Sequence, residues 1–167
     1  MLPHGRNGYG PDPLSRCGVY HDADQEELKM SGELIGESRG KIIGTRVVEL
    51  LETGPKIETT DQSTGKLLDI ESQDVSTAWS VWRSPDIFYA EGIGVTTSKD
   101  GEMAMYTGSG IGIGGPGSPE TSFHGMILFR SSTPKWSRLN GTAVMVEYTV
   151  DADGNTHSRL WEWKGRF

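Results

Sequence analysis

Glycine as the second member of a short polar dipeptide, set between runs of alternating polar and apolar residues, is the feature that most narrows what this chain can fold into. Thr64-Gly65, Asp100-Gly101 and Asp153-Gly154 are the three instances. A two-residue type I′ hairpin turn needs φ > 0 at both central positions, and Asp-Gly is among the pairs that tolerate it best. No stretch between these points repeats at helical period. The pattern reads as an antiparallel meander. A long meander leaves two edge strands with unpaired peptide groups, and closing the sheet on itself removes both. The expected fold is therefore all-β, an eight-stranded antiparallel up-and-down β-barrel, and the natural place for a site in such a barrel is its lumen.

Composition agrees with that reading. The 167 residues are enough for one domain with a core of its own. Only 34% of residues are apolar and 23 are glycine, which suits a β protein with many turns better than a helical bundle. The net charge of −7 argues against nucleic acid, whose phosphates call for clustered Lys and Arg. Cys17 is the single cysteine, so a disulfide framework is excluded. With no apolar signal segment at the N-terminus, the expected compartment is the cytoplasm. No apolar run approaches membrane-spanning length, and no membrane partner is expected. Asn140-Gly141-Thr142 fits a glycosylation pattern but reads as a turn in that setting.

The chain divides into an N-terminal arm, residues 1–30, and a barrel domain, residues 31–167. The arm is rich in Gly, Pro and Asp and has no periodicity, although Asp22–Met30 has a capping-box-like start and could form a short helix. Strand candidates follow from Lys41 to Leu51, Lys56 to Ser63, Lys66 to Asp74, Ala78 to Trp82, Phe88 to Ser98, Met103 to Ile113, Ser122 to Ser131, and Ala143 to Val150 returning as Thr156 to Lys164. The third and fourth could be one long bent strand. No internal repeat is visible.

Two hairpins can be laid out in register. With Asp100-Gly101 as a two-residue loop, Lys99 faces Glu102, Glu91 faces Gly110 and Tyr89 faces Gly112. One face then carries Tyr89, Glu91, Ile93 and Val95 beside Ala104, Tyr106 and three glycines. With Asp153-Gly154 as a two-residue loop, Ala152 faces Asn155. Val144, Val146, Tyr148 and Val150 then share a face with His157, Arg159, Trp161 and Trp163. That face is apolar and aromatic and is the better candidate for the interior.

The segments Gly32-Glu33-Leu34-Ile35-Gly36-Glu37, Tyr89 to Val95, Lys99 to Glu102 and Leu139-Asn140-Gly141 resemble a family of short, uncharacterised prokaryotic proteins. The ending Glu147 to Asp151, through Asn155, to Trp161-Glu162-Trp163-Lys164 extends the resemblance, which covers about Gly32 to Lys164. Such proteins resemble the allene oxide cyclase-like barrels, a calycin-type fold that includes plant allene oxide cyclases and bacterial polyketide cyclases working without a cofactor. The resemblance implies an eight-stranded barrel and the possibility of cofactor-free cyclisation or isomerisation. It also implies a homo-oligomer, a dimer or a trimer. The plant enzymes' catalytic glutamate, asparagine and cysteine do not align onto this chain, so no catalytic residue is carried over.

Several constellations remain as candidates. Glu91 sits among Tyr89, Ile93 and Val95, and if that face is the lumen, desolvation would raise its carboxyl pKa and suit it to acid–base work. The plainer reading is a solvated outer-face carboxylate. Tyr106 shares that face and His124 lies on another strand; the three together could polarise an enone or position an epoxide. Trp79, Tyr89, Tyr148, Arg159, Trp161 and Trp163 are candidates for binding a ligand, against the alternative that the aromatics fill the core or an oligomer interface. Gly110-Ile111-Gly112-Ile113-Gly114-Gly115 matches G-x-G-x-x-G, yet Pro116 and loop residues follow where a helix is needed, so a dinucleotide site is rejected. Asp151 to Asn155 is a hairpin turn rather than a calcium loop. Cys17 with His21, Asp22 and Asp24 makes a weak metal set, and neither a metal nor another cofactor is expected.

These readings combine into a small-molecule-binding barrel. The first hypothesis is a cofactor-independent cyclase or isomerase acting on an apolar or amphipathic substrate, with Glu91, Tyr106 and His124 as its polar groups. The alternatives are a lipocalin-like carrier without chemistry and a structural or assembly protein with a filled barrel.

Overall fold

The computed structural model describes residues 32–115 and 118–164. The N-terminal arm, the possible helix Asp22–Met30 and the Cys17 cluster lie outside the described residues. Eight strands follow one another: β1 Gly32–Leu51, β2 Gly54–Leu67, β3 Ile70–Ser84, β4 Ile87–Ser98, β5 Met103–Ile113, β6 Glu120–Arg130, β7 Ala143–Asp151 and β8 Asn155–Trp163. Each pairs antiparallel with the next, and β8 returns to β1, so the sheet closes into an eight-stranded barrel. Closure leaves almost the whole backbone of the strands paired, which is what makes the fold self-sufficient despite a modest apolar content.

The turns differ from the sequence expectation. Thr64-Gly65 is not a turn but part of β2, where these residues face Gln73 and Ser72 on β3. The two-residue turn comes four residues later at Leu68-Asp69, both with positive φ (51° and 60°), and it brings Leu67 opposite Ile70. Such backbone is unfavourable for a leucine, by roughly 1–2 kcal/mol. Packing holds it: the Leu68 side chain lies against the apolar core and its N–H donates to the Ile35 carbonyl at 2.7 Å. The strand candidate from Lys66 to Asp74 is therefore cut in two by this turn, and Ala78 to Trp82 belongs to β3.

Asp100-Gly101 and Asp153-Gly154 are turns, but of three residues rather than two. Thr97 faces Met103, and the Ser98 N–H donates to the Glu102 carbonyl at 2.8 Å around the loop Lys99–Gly101. In the second, Val150 faces Thr156, and Gly154 N–H donates to the Asp151 carbonyl at 3.0 Å. Only the glycines, at φ +86° and +78°, are left-handed. This is the three-residue hairpin loop closed by one left-handed residue, so the aspartate needs no unusual backbone. In the second loop the carboxylate of Asp151 instead accepts from the N–H groups of Asp153 (2.9 Å) and Asn155 (2.8 Å).

One extra loop residue shifts each register by one, and a shift of one turns a strand over relative to its neighbour. Glu91 consequently faces Ser109, not Gly110. Tyr148 faces Ser158, and Thr149 faces His157. The inward face of β8 is Thr156, Ser158 and Leu160, while His157, Arg159, Trp161 and Trp163 stand outside.

One end of the barrel is plugged. The 3-10 helix Pro134–Gly141, between β6 and β7, drives Trp136 and Leu139 into it, and both are fully buried with Val144. Ile35, Leu67, Ala104 and Phe129 complete this core. Trp136 donates its indole N–H to the Leu67 carbonyl at 3.4 Å. The helix is held by Asn140, whose amide accepts from the N–H of Ser131 and donates to its carbonyl, both at 2.8 Å. The other end is rimmed by the β1–β2, β3–β4, β5–β6 and β7–β8 connections, and among the described residues no such plug fills it. Among the described residues no helix is long and apolar enough to cross a membrane.

Candidate functional site: a polar chamber in the barrel lumen

Strand alternation decides what the lumen contains. On β4 the buried residues are Ala90, Gly94, Thr96 and Ser98, Gly92 shares their row, and the alternate residues are on the outside. Carried around the barrel through the pairing, the inward set encloses a chamber of about 470 Å³, within the size range of small-molecule sites. Its rim is aromatic: Trp82 and Phe88 meet edge to face at 5.4 Å between ring centres, with Phe123 and Val150 also lining the space. Its middle is polar.

Two carboxylates occupy that middle. Asp61 on β2 faces Ser76 on β3, and Asp74 on β3 faces Ser63 on β2, so the aspartates are diagonal neighbours on adjacent strands. Ser76 donates to Asp61. Asp74 accepts from Thr96 at 2.5 Å and from the Tyr106 hydroxyl at 2.8 Å. Tyr106 reaches β3 from β5 by laying its ring across Gly94, its cross-strand partner on β4. A Cβ at Gly94 would stand 2.2 Å from the ring's Cζ, so only glycine leaves the path open. Ser63, Ser38 and Ser158 continue the polar lining as a chain of hydroxyls at 3.2 and 2.8 Å.

The electrostatics follow from burial. Desolvation pushes the Asp61 carboxyl up to about 6, against the Ser76 hydrogen bond, and the charge of Asp74 adds to the rise. Burial also raises Asp74, opposed by the donors Thr96 and Tyr106. The phenols of Tyr106 and Tyr148 are raised by burial and then by the aspartate charges, so both keep their protons at neutral pH. The chamber thus holds two carboxyls raised by burial, Asp61 to about 6, and two phenolic donors.

Of the residues singled out from sequence, Tyr106 and Tyr148 face the chamber. The others do not. Glu91 and His124 are exposed on the outer face, as strand alternation requires of neighbours of Ala90 and Phe123. Trp79, Tyr89 and Glu91 do come together, but outside: the rings of Trp79 and Tyr89 lie 5.9 Å apart, Tyr89 donates to Glu91, and Lys56 and Arg83 cover the two rings at 4.3 and 4.9 Å. Arg159 lies over Trp161 at 5.2 Å and pairs with Glu147 at 2.6 Å, also outside, and Trp163 is 56% exposed. Trp79 and Glu91 also border the chamber, but from the outward row, beside Ala78, Ala90 and Gly92. The expectation that these residues face the lumen is corrected in orientation: Glu91, His124, Tyr89, Arg159, Trp161 and Trp163 stand on the outward row, and Trp79 borders the lumen from that row.

Asp61 and Asp74 were not singled out because β2 and β3 look solvated on either face. The signal was nonetheless present. On β2, Glu58, Thr60, Gln62 and Thr64 alternate with Thr59, Asp61 and Ser63, so both rows are polar. In a closed barrel one row must point inward, and either choice on β2 encloses a carboxyl, Glu58 or Asp61.

No protein-family model matches the chain. No curated protein matches it either. Solved structures do. A conserved protein of unknown function from Rhodopseudomonas palustris matches with a TM-score of 0.65 at 14% identity, over 78% of this chain and 95% of that one. A protein of unknown function from Clostridium acetobutylicum matches at 0.66 and 9% identity, over 78% and 96%. A β-barrel-like protein from Acinetobacter baumannii matches at 0.64 and 12% identity, over 79% and 96%. At such identities the likeness is one of fold, and it covers nearly the whole of each neighbour.

Proposed function

We propose that the barrel binds an amphipathic small molecule in its lumen and isomerises or cyclises it by cofactor-free proton transfer. The observation that carries this reading is the pair Asp61 and Asp74, enclosed beside the phenols Tyr106 and Tyr148 in a chamber open at its aromatic end. A buried carboxyl near 6 is matched to proton transfer at neutral pH, because it is basic enough to take a proton and acidic enough to return it. Asp61 takes a proton from a carbon next to a carbonyl, the electron pair moves onto the carbonyl oxygen, and Tyr148 donates a hydrogen bond to that oxygen. Return of the proton from Asp61 to a different carbon completes an isomerisation with no net change in atoms or electrons. The resemblance to cofactor-free cyclases supports the same class of reaction. Carriage without chemistry is the second reading, favoured by the hydroxyl chain Ser63–Ser38–Ser158, which can bind without titrating. A filled barrel does not accommodate the chamber.

The test is hydrogen–deuterium exchange at the α-carbon of a panel of aryl and cyclic ketones in D2O, followed by NMR. Exchange by the wild type and its loss in Asp61→Asn, with binding retained, supports catalysis. Binding without exchange in any ketone leaves carriage.

A further inference from the structure

We infer that the ligand of the chamber carries a protonated amine, which Asp74 receives as its counter-ion while the apolar body of the ligand lies toward Trp82 and Phe88. The inference rests on the lumen-binding reading above and goes on to name the ligand's chemistry.

The lumen has an unbalanced charge pattern. Its inward-facing titratable groups are Asp61 from β2, Asp74 from β3, Tyr106 from β5 and Tyr148 from β7, while Glu37, Lys66 and Glu91 border it from exposed positions on the outward row. The strands β1, β4, β6 and β8 present hydroxyls and apolar groups toward it, among them Ser38, Thr96, Phe129 and Thr156. Among the described residues, every Lys, Arg and His on a strand belongs to the outward row. Arg46 pairs with Glu58, Arg159 with Glu147 and His157 with Glu37, all on the outer surface. Buried carboxylates are ordinarily matched by a cation or a metal, because an unpaired buried charge is costly. Among the described residues no inward-facing cation matches them, and space for one is present beside the carboxylates.

The two aspartates are not equivalent. Asp74 accepts two side-chain hydrogen bonds and Asp61 one. Donors stabilise the ionised form, so Asp74 is the one better held as an anion. Asp74 therefore anchors the ammonium, and Asp61 remains free for proton transfer. The rest of the cavity fits the same ligand. Beyond the carboxylates the walls become apolar and aromatic through Ala78, Ala90, Trp82 and Phe88, so polar and greasy ends are spatially separated along one axis. A carboxylate-bearing ligand is disfavoured by like charge, and a neutral one leaves the aspartates unmatched.

The test uses three probes of one shape: 2-naphthylethylamine, 2-naphthylethanol and 2-naphthylacetate, titrated calorimetrically into the whole protein at pH 7. The expected result is at least tenfold tighter binding of the amine than of the alcohol, and no binding of the acetate. Asp74→Asn should abolish the amine's advantage over the alcohol, both measured in that variant. Equal affinities for amine and alcohol, or an amine preference that survives Asp74→Asn, overturns the inference. Ala78→Trp fills the chamber, and Ser80→Trp is a second way to do so should the first not fold. Loss of alcohol binding in either variant shows that the lumen is the site even where amine preference fails. If no probe binds, or if binding survives both filling variants, the lumen reading itself falls and this inference with it.

Discussion

At the plugged end of the barrel, Trp136, Leu139 and Val144 are sealed from water by one another and by Ile35, Leu67 and Phe129. Further along the same strands, Asp61, Asp74 and a row of hydroxyls surround open space. Both regions are walled by inward-facing strand residues, and the plugged end adds Trp136 and Leu139 from the 3-10 helix. The plugged end is where the barrel obtains its stability: indole and leucine side chains leave water, and each such burial contributes about 2–3 kcal/mol. The chamber is where the barrel gives stability up, because two carboxyls are desolvated without a cation. A fold can keep such a chamber only if another part of its interior overcompensates, and the 3-10 helix supplies that part. Natural proteins tend to tolerate destabilising groups where function needs them.

That contrast can be broken from the plugged side first. Trp136→Ala removes the largest fully buried side chain and should cost about 3–5 kcal/mol, read as a lowered denaturation midpoint. A loss under about 1 kcal/mol would mean that the plug is not what holds the barrel.

The chamber side should respond in the opposite sense. The folded state raises the Asp61 carboxyl from 3.8 to about 6, so it favours the protonated form. The associated stability is fully present below about pH 4 and is lost as pH rises through about 6. Asp61→Asn removes that dependence. The variant should therefore gain roughly 2–3 kcal/mol over the wild type at pH 8 and little at pH 4, an order of magnitude set by the size of the shift. Urea unfolding of the two proteins at both pH values measures it. A variant less stable than the wild type at pH 8 would place Asp61 among the groups that hold the fold.

The smallest effect is expected outside the barrel. Glu91→Gln replaces an exposed carboxylate on the outer face, next to Tyr89. It should leave lumen binding and any α-carbon exchange unchanged, measured on the same probes as above. A loss of either would show that the outer depression formed by Trp79, Glu91, Met126 and Leu128 takes part in the activity.

Much of the architecture was legible before any coordinates. Alternation along Phe88–Ser98 and Met103–Ile113 marks these strands to within one residue of their observed ends, and the eight-stranded closure follows from the need to hide edges. The site was legible only in part. The sequence pattern points to Tyr106 and Tyr148, but among the carboxylates it points to Glu91, one register step from the inward row. The error lies in the Asp-Gly loops. A two-residue and a three-residue loop share the same dipeptide, and the choice between them decides which side of the strand faces the lumen. Thr64-Gly65 misled in another way, because Leu68-Asp69 takes the turn instead, held there by the packing of Leu68 against the core.

The sequence by itself determined that this chain makes strands, that they pair with their neighbours, and that they close, since alternation and edge avoidance are local or topological requirements. Which residues look inward was decided by the tertiary structure alone. Alternation assigns each residue to one of two rows but is silent on which row is inside, and only the joint registers of all eight pairs, with Trp136 and Leu139 seated in one end, select the row holding Asp61 and Asp74.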